Sequence, residues 1–376
     1  MSIYLDNAAT TPLDPAVLTA MTPYLLANFG NPSSQHQFGR EAKAALERCR
    51  KTIADLLGAD ADEIIFTSGG TEADNLAIVS AITCGKIDHV ITTPFEHPAV
   101  LQTLKSLSKQ YHTRVSYVKH NAAGDLDLGH LEYLLRTNTR NLVTIMHANN
   151  EIGNLNDIAA IGKLCEKYNA VFHTDAVQTM GHLAFDLSKL NIHYLAASAH
   201  KFHGPKGVGF LYCRKGSKLT RLIHGGGQEK QVRAGTENLP GIIGMTKALQ
   251  LAYADREVHQ THIEKLKAKL IAGIVDLIPD VQFNGRSAKV NDSIYTVLSA
   301  SFAGSGVDLI SYLDAAGIAV SGGSACCTGS TSAVLQALGT DPDRPTIRFS
   351  FSRFNTANEI DLVIEKLAVV FQVIAA

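Results

Sequence analysis

From about Thr19 to Leu239, short apolar runs that suit strands alternate with longer runs of helical period, the pattern of a parallel, doubly wound sheet covered by helices. The runs Glu63–Thr67, His89–Thr93, Asn141–Met146, Ala170–Thr174, Tyr194–Ala197 and Gly207–Tyr212 each read as a buried strand. Beyond them, one helical pattern runs from Ile242 to Leu277 almost free of breakers and leads into a smaller C-terminal unit. That unit is expected to hold strands near Ile318–Val320 and over Thr346–Phe351, with a helix over Ala333–Leu338. No internal repeat or low-complexity linker breaks the sequence.

Composition narrows the class. A chain of 376 residues with 45% hydrophobic content buries a large core and suggests two domains. A net charge of -1 gives no electrostatic case for nucleic acid. The N-terminus lacks a basic segment before an apolar run, and the apolar C-terminal stretch is too short for a bilayer, so no membrane partner is expected. Six cysteines, at 49, 84, 165, 213, 326 and 327, show no framework spacing, which suits a reducing, cytoplasmic setting.

Lys201 is the most informative residue. It lies among small residues and glycines, Ser198-Ala199-His200-Lys201-Phe202-His203-Gly204, just after the apolar run Tyr194–Ala197. An amine placed there is able to form a Schiff base with an aldehyde cofactor, although loop lysines are ordinarily solvated. The strand Ala170–Thr174 delivers Asp175 to the sheet edge where open α/β folds bind ligands. Alone, that aspartate reads equally well as a helix cap; beside a Schiff-base lysine its charge would keep a pyridine nitrogen protonated. After Glu63–Thr67, the turn Ser68-Gly69-Gly70-Thr71 opens a helix at Glu72, whose backbone amides attract phosphate. Together these three features make pyridoxal 5′-phosphate the economical cofactor.

Further candidates have weaker individual signals. His97, in the loop after His89–Thr93, is suited to cover a flat cofactor and to move protons. Arg348, on Thr346–Phe351, offers a guanidinium for an amino-acid carboxylate. Cys326 lies in a small, polar, glycine-rich run, Ser321–Ser332, which reads as a loop able to carry a thiol into and out of a site. His200 and His203 lack paired cysteines or a convergent carboxylate, so no metal is expected.

The ordered set of motifs resembles cysteine desulfurases of the nitrogenase-maturation and iron-sulfur-cluster type, in the class V aminotransferase superfamily. It comprises Tyr4–Thr11, Gly30–Ser34, Thr67–Asn75, Glu96-His97, Asn149–Gly153, Gly225–Glu229, Gly323–Cys326 and Ile347–Ser350, and covers the chain almost end to end. The resemblance implies fold type I of the pyridoxal-phosphate transferases. It also implies a large domain over 13–250 and a small α+β domain formed by 1–12 and 251–376. Lys201 would hold the cofactor, Asp175 face the pyridine nitrogen, Gln178 bond the ring hydroxyl with Asn150 nearby, and His97 stack on the ring. Gly70, Thr71, Ser198 and His200 resemble the phosphate cup, while Thr236 matches a threonine that reaches the phosphate of the neighbouring subunit. A homodimer follows. Arg348 matches the carboxylate arginine and Asn31 its helper.

The implied reaction removes sulfur from L-cysteine, giving L-alanine and a persulfide on Cys326, with Lys201 moving the α proton. Its sulfur would serve iron-sulfur clusters or another sulfur-containing cofactor through an acceptor protein. Cys327 stands where many relatives carry serine or threonine, and Ser352 where they usually carry glycine. The cysteine loop also looks slightly shorter than in the best-known members, and the end at Ala376 lacks the longer tail with which relatives dock a cluster scaffold. Competing readings are selenocysteine lysis, transamination, and a non-catalytic carrier on the same fold; Cys326 argues against the second and intact Lys201, Asp175 and Cys326 against the third.

Overall fold

A computed structural model describes residues 2–278, 280–303, 308–322 and 332–375. The elements begin with β1 (Ile3–Tyr4), α1 (Pro15–Leu26), α2 (Gln37–Leu57), β2 (Ile64–Thr67), α3 (Gly70–Gly85), β3 (His89–Thr92), α4 (Pro98–Tyr111) and β4 (Arg114–Tyr117). They continue through α5 (Leu128–Thr137), β5 (Asn141–Thr144), α6 (Ile158–Lys167), β6 (Val171–Asp175), β7 (Tyr194–Ser198), β8 (Gly209–Cys213) and α7 (Leu239–Ala254). The remainder is α8 (Arg256–Leu277), β9 (Gln282–Phe283), β10 (Val297–Ser301), α9 (Leu309–Ala315), β11 (Ile318–Ala319), α10 (Ala333–Leu338), β12 (Thr346–Ser350) and α11 (Ala357–Ala375).

Seven strands form the large sheet in the order β2-β8-β7-β6-β5-β3-β4. Pairings from β7 through β4 are parallel, while β8 runs antiparallel to both β7 and β2. The reason lies in chain length: residues 199–208 link β7 to β8, fewer than the dozen or so that a parallel crossover requires. Ile64, Phe66, Val143, Phe172, Leu195 and Phe210 are buried in the core beneath helices of this sheet. A second core, built on Leu266, Leu270, Leu298, Phe302, Phe349 and Phe351, covers the antiparallel sheet β12-β10-β9. The N-terminal strand β1 pairs in parallel with β11, and Asp6 bridges to Ser350.

Two expectations shift in detail. The pattern over Ile242–Leu277 is two helices, because Asp255 leaves helical geometry between α7 and α8. On α8 the buried stripe Ile263, Leu266, Leu270 and Ile274 keeps the helical period. The strand β5 ends at Thr144 rather than Met146, since the Met146 N–H donates to the Glu96 carboxylate instead of a ladder. No helix among the described residues is long and apolar enough to cross a membrane.

Candidate active site

The C-terminal ends of β6 and β7, the N-terminus of α3 and the N-terminal segment around Ala8 enclose a cavity of ≈ 220 Å³. At its floor β6 delivers Asp175, whose carboxylate accepts the Val177 N–H at 2.8 Å. Burial pushes the Asp175 carboxyl up, and the charges of His97 and Lys201 pull it back. One wall is the start of α3, where Gly69 takes φ 153 and precedes Gly70. A Cβ on Gly70 would lie 2.6 Å from Val177 Cγ2, so glycine lets the helix end reach the floor. α3 begins at Gly70, two residues before the expected Glu72. Thr71, Ser198 and His200 line the cavity beside this helix N-terminus, a natural anion site.

Lys201 enters from the short turn after β7. Its ammonium donates to the Ala8 carbonyl at 2.5 Å and the Ala9 carbonyl at 2.9 Å. Gln178 also donates to the Ala8 carbonyl, at 3.1 Å, and His200 Nδ1 lies 3.1 Å from Thr10 Oγ1. The N-terminal segment is therefore a wall of the site, held by the residues that face the cavity.

His97 caps α4: its Nδ1 accepts the Ala99 N–H at 3.1 Å. The ring proton of the neutral imidazole then sits on Nε2. Burial lowers the proton affinity of His97, while the Asp175 carboxylate raises it. The adjacent Glu96 is buried and accepts from the Met146 N–H and, at 2.8 Å, the Thr93 hydroxyl. Burial raises its carboxyl to about 8.

Arg348 comes from β12 and is fully buried. It donates to Asp6 Oδ1 at 2.7 Å and to the Asn150 carbonyl at 2.9 Å, while its Nε–H has no aligned partner among the described residues. Arg348 also lines the cavity, where a planar guanidinium suits a carboxylate.

The cavity thus brings together Gly70, Thr71, His97, Asn150 and Asp175 with Gln178, Ser198, His200, Lys201 and Arg348. Asn31 stands apart: it is exposed, and its Oδ1 accepts the Ser33 N–H at 2.9 Å. Thr236 is exposed and outside the cavity lining. Cys326 and Cys327 lie outside the described residues. Asp6, Ala8, Ala9 and Asp74 belong to the site without having been singled out. For Asp74 a signal was present, because it is four residues after Gly70 and shares its face of α3.

An amine, a buried carboxylate and a glycine-opened helix N-terminus around one cavity fit an aldehyde cofactor that carries a phosphate. Comparisons with known proteins agree. The family described as Aminotransferase class-V matches residues 3–363. A cysteine desulfurase IscS of Dictyoglomus turgidum is 43% identical over 97% of this chain and 93% of its own length. A putative cysteine desulfurase IscS 1 of Bacillus subtilis is likewise 43% identical, over 97% of both chains. Among solved structures, a NifS-like protein superposes with a TM-score of 0.91 at 38% identity, covering 99% of this chain and all of its own. SspA in complex with cysteine superposes with a TM-score of 0.82 at 33% identity, over 94% of this chain and 100% of that one.

Proposed function

This chain belongs to the class V aminotransferase family and is a cysteine desulfurase, and from that premise we propose that its cavity takes L-cysteine and passes the sulfur to Cys326. The observation that carries this assignment of residues is the placement of Lys201, Asp175 and Arg348 around one cavity. Pyridoxal 5′-phosphate, the cofactor of the family, supplies an electron sink for the substrate α-carbon when bound. Lys201 would hold its aldehyde, Asp175 its ring nitrogen, Gln178 and Asn150 its hydroxyl, and Gly70, Thr71, Ser198 and His200 its phosphate.

The remaining chemistry belongs to side chains. Arg348, paired with Asp6 and lining the cavity, binds the substrate carboxylate. Lys201, once its amine is free, takes the α proton as general base. His97 covers the cofactor and, with its ring proton on Nε2, serves as hydrogen donor toward the site. The Cys326 thiolate attacks the substrate sulfur. A sulfur–sulfur bond forms and the carbon–sulfur bond breaks; its electron pair stays on carbon, which takes a proton to become L-alanine.

We propose further that the domains divide at 13–250 and at 1–12 with 251–376, a reading supported by the two separate cores. A homodimer is supported by the exposed Leu25, Leu26, Phe29 and Phe38, and by Thr236, which is exposed and lies outside the lining of its own cavity. The sulfur would pass to an acceptor protein for iron-sulfur clusters or a related cofactor.

One experiment tests the sulfur path. With L-cysteine and reductant, sulfide and alanine are expected in equal amounts from the wild type and from Cys327→Ser, and almost none from Cys326→Ser. Mass spectrometry after one turnover is expected to find the extra sulfur on the Cys326 peptide. Persulfide on Cys327, or its loss in both single variants, would overturn the assignment to Cys326 alone.

A further inference from the structure

Beneath the cavity floor two buried side chains face each other. Asp74 on α3 and His173 on β6, two residues before Asp175, place Oδ1 and Nε2 3.3 Å apart, and the two side chains are 1% and 0% exposed. Neither atom has an aligned hydrogen-bond partner among the described residues. The other ring nitrogen of His173 is engaged, with Nδ1 at 2.8 Å from Thr144 Oγ1. Two orphaned polar atoms this close and this deep would each cost about 1–3 kcal/mol unless a proton joins them. With the ring hydrogen on Nδ1 toward Thr144 Oγ1, Nε2 is an acceptor, and a carboxyl proton on Asp74 supplies the donor for it.

The geometry points to Asp74 as a neutral carboxylic acid that donates its proton to His173 Nε2, a positioning residue that leaves Asp175 as the ionised carboxylate of the cavity floor. The surroundings require such a proton. Asp175 and His173 from β6 and Glu96 after β3 act on Asp74, while His97 and the Lys201 ammonium act on Asp175. Three buried carboxyls against one ammonium cannot all be charged. Burial, with the charges of Asp175 and Glu96, pushes Asp74 well up, and burial holds His173 down to about 3. Were Asp74 charged, it would press a proton onto Asp175, and a protonated Asp175 is unable to stabilise a pyridinium.

The inference rests on the reading of Asp175 as the ring-nitrogen partner, so its test separates the two. Infrared spectra of the apo-enzyme, with carboxyl-labelled aspartate to exclude Glu96, are expected to show a protonated aspartic acid between pH 6 and 9. That band is expected to vanish in Asp74→Asn and to shift in His173→Phe, where the proton loses its acceptor. In the holoenzyme Asp74→Asn is expected to leave the pH–rate profile in place, because its amide N–H donates to the same nitrogen. An unshifted band in His173→Phe overturns the proposal even if Asp74→Asn does not fold. So does an Asp74→Asn variant that keeps the band, or that loses more than about thirtyfold in kcat with a displaced profile. If instead Asp175→Asn retains turnover while the Asp74 band is present, the ring-nitrogen reading fails and the protonated acid stands.

Discussion

On the strand side of the cavity, Asp74, Glu96 and Asp175 are buried with one ammonium, Lys201, whereas on the small-sheet side the buried Arg348 meets Asp6 one to one. The difference is one of charge balance. The balanced pair holds Arg348 at the cavity, where it suits a ligand carboxylate. The acid-rich side satisfies itself only by holding protons, and its groups therefore have proton affinities far from their ordinary values. Binding and proton handling are thereby assigned to different walls.

The most severe way to disturb this division is to remove the one ammonium. Lys201→Ala is expected to lose at least about 10³-fold in turnover, together with the borohydride-reducible adduct, measured by sulfide release and mass spectrometry. An active variant with an unchanged adduct would break the assignment. Next, Asp175→Asn is expected to lose about 10²-fold in kcat, or about 2.7 kcal/mol of barrier, while retaining some cofactor absorbance. A rate within about twofold of wild type would show that the acid-rich side does not serve the ring nitrogen.

On the balanced side the expected effect is smaller and falls on a different constant. Asp6→Asn is expected to raise KM for L-cysteine about tenfold with kcat nearly unchanged, because a charge-assisted contact of about 1.5–3 kcal/mol no longer orients Arg348. A fall in KM would mean that Asp6 competes with substrate rather than presenting its partner.

The smallest effect separates the walls by pH. His147, His182, His200 and His203 are held down to about 4 by burial, and His173 to about 3. The unfolded chain takes up these protons from about pH 6.5 downward, so stability falls as pH drops below that value. Glu96 runs the other way: raised to about 8, its contribution is full below about 4.5 and is lost as pH rises through about 8, at about 1.4 kcal/mol per pH unit. Thermal denaturation is expected to show greatest stability near pH 6.5, a steep fall in acid and a shallow decline to pH 8. Glu96→Gln is expected to steepen the acid limb above about pH 4.5 and to lessen the decline toward pH 8.

Much of this was legible in the sequence because strand and helix periods announced themselves, and Lys201, Asp175 and Gly70 each stood at an element boundary. Arg348 was visible as a cation on a strand, but its pairing with Asp6 spans 342 positions and has no local signal. Ala8 and Ala9 were hidden for a different reason: they act through main-chain carbonyls, which every residue possesses. The break at Asp255 was missed since the residue continues the helical pattern in polarity while leaving it in backbone angle.

Those two carbonyls also couple distant parts of the molecule. The segment that provides them continues from β1, which is paired to β11, while the lysine they hold follows β7 of the large sheet. Hydrogen bonds from one side chain therefore join the first ten residues, through β1 and β11, to the turn after β7 of the large sheet, and a covalent bond formed at that amine would weaken the join.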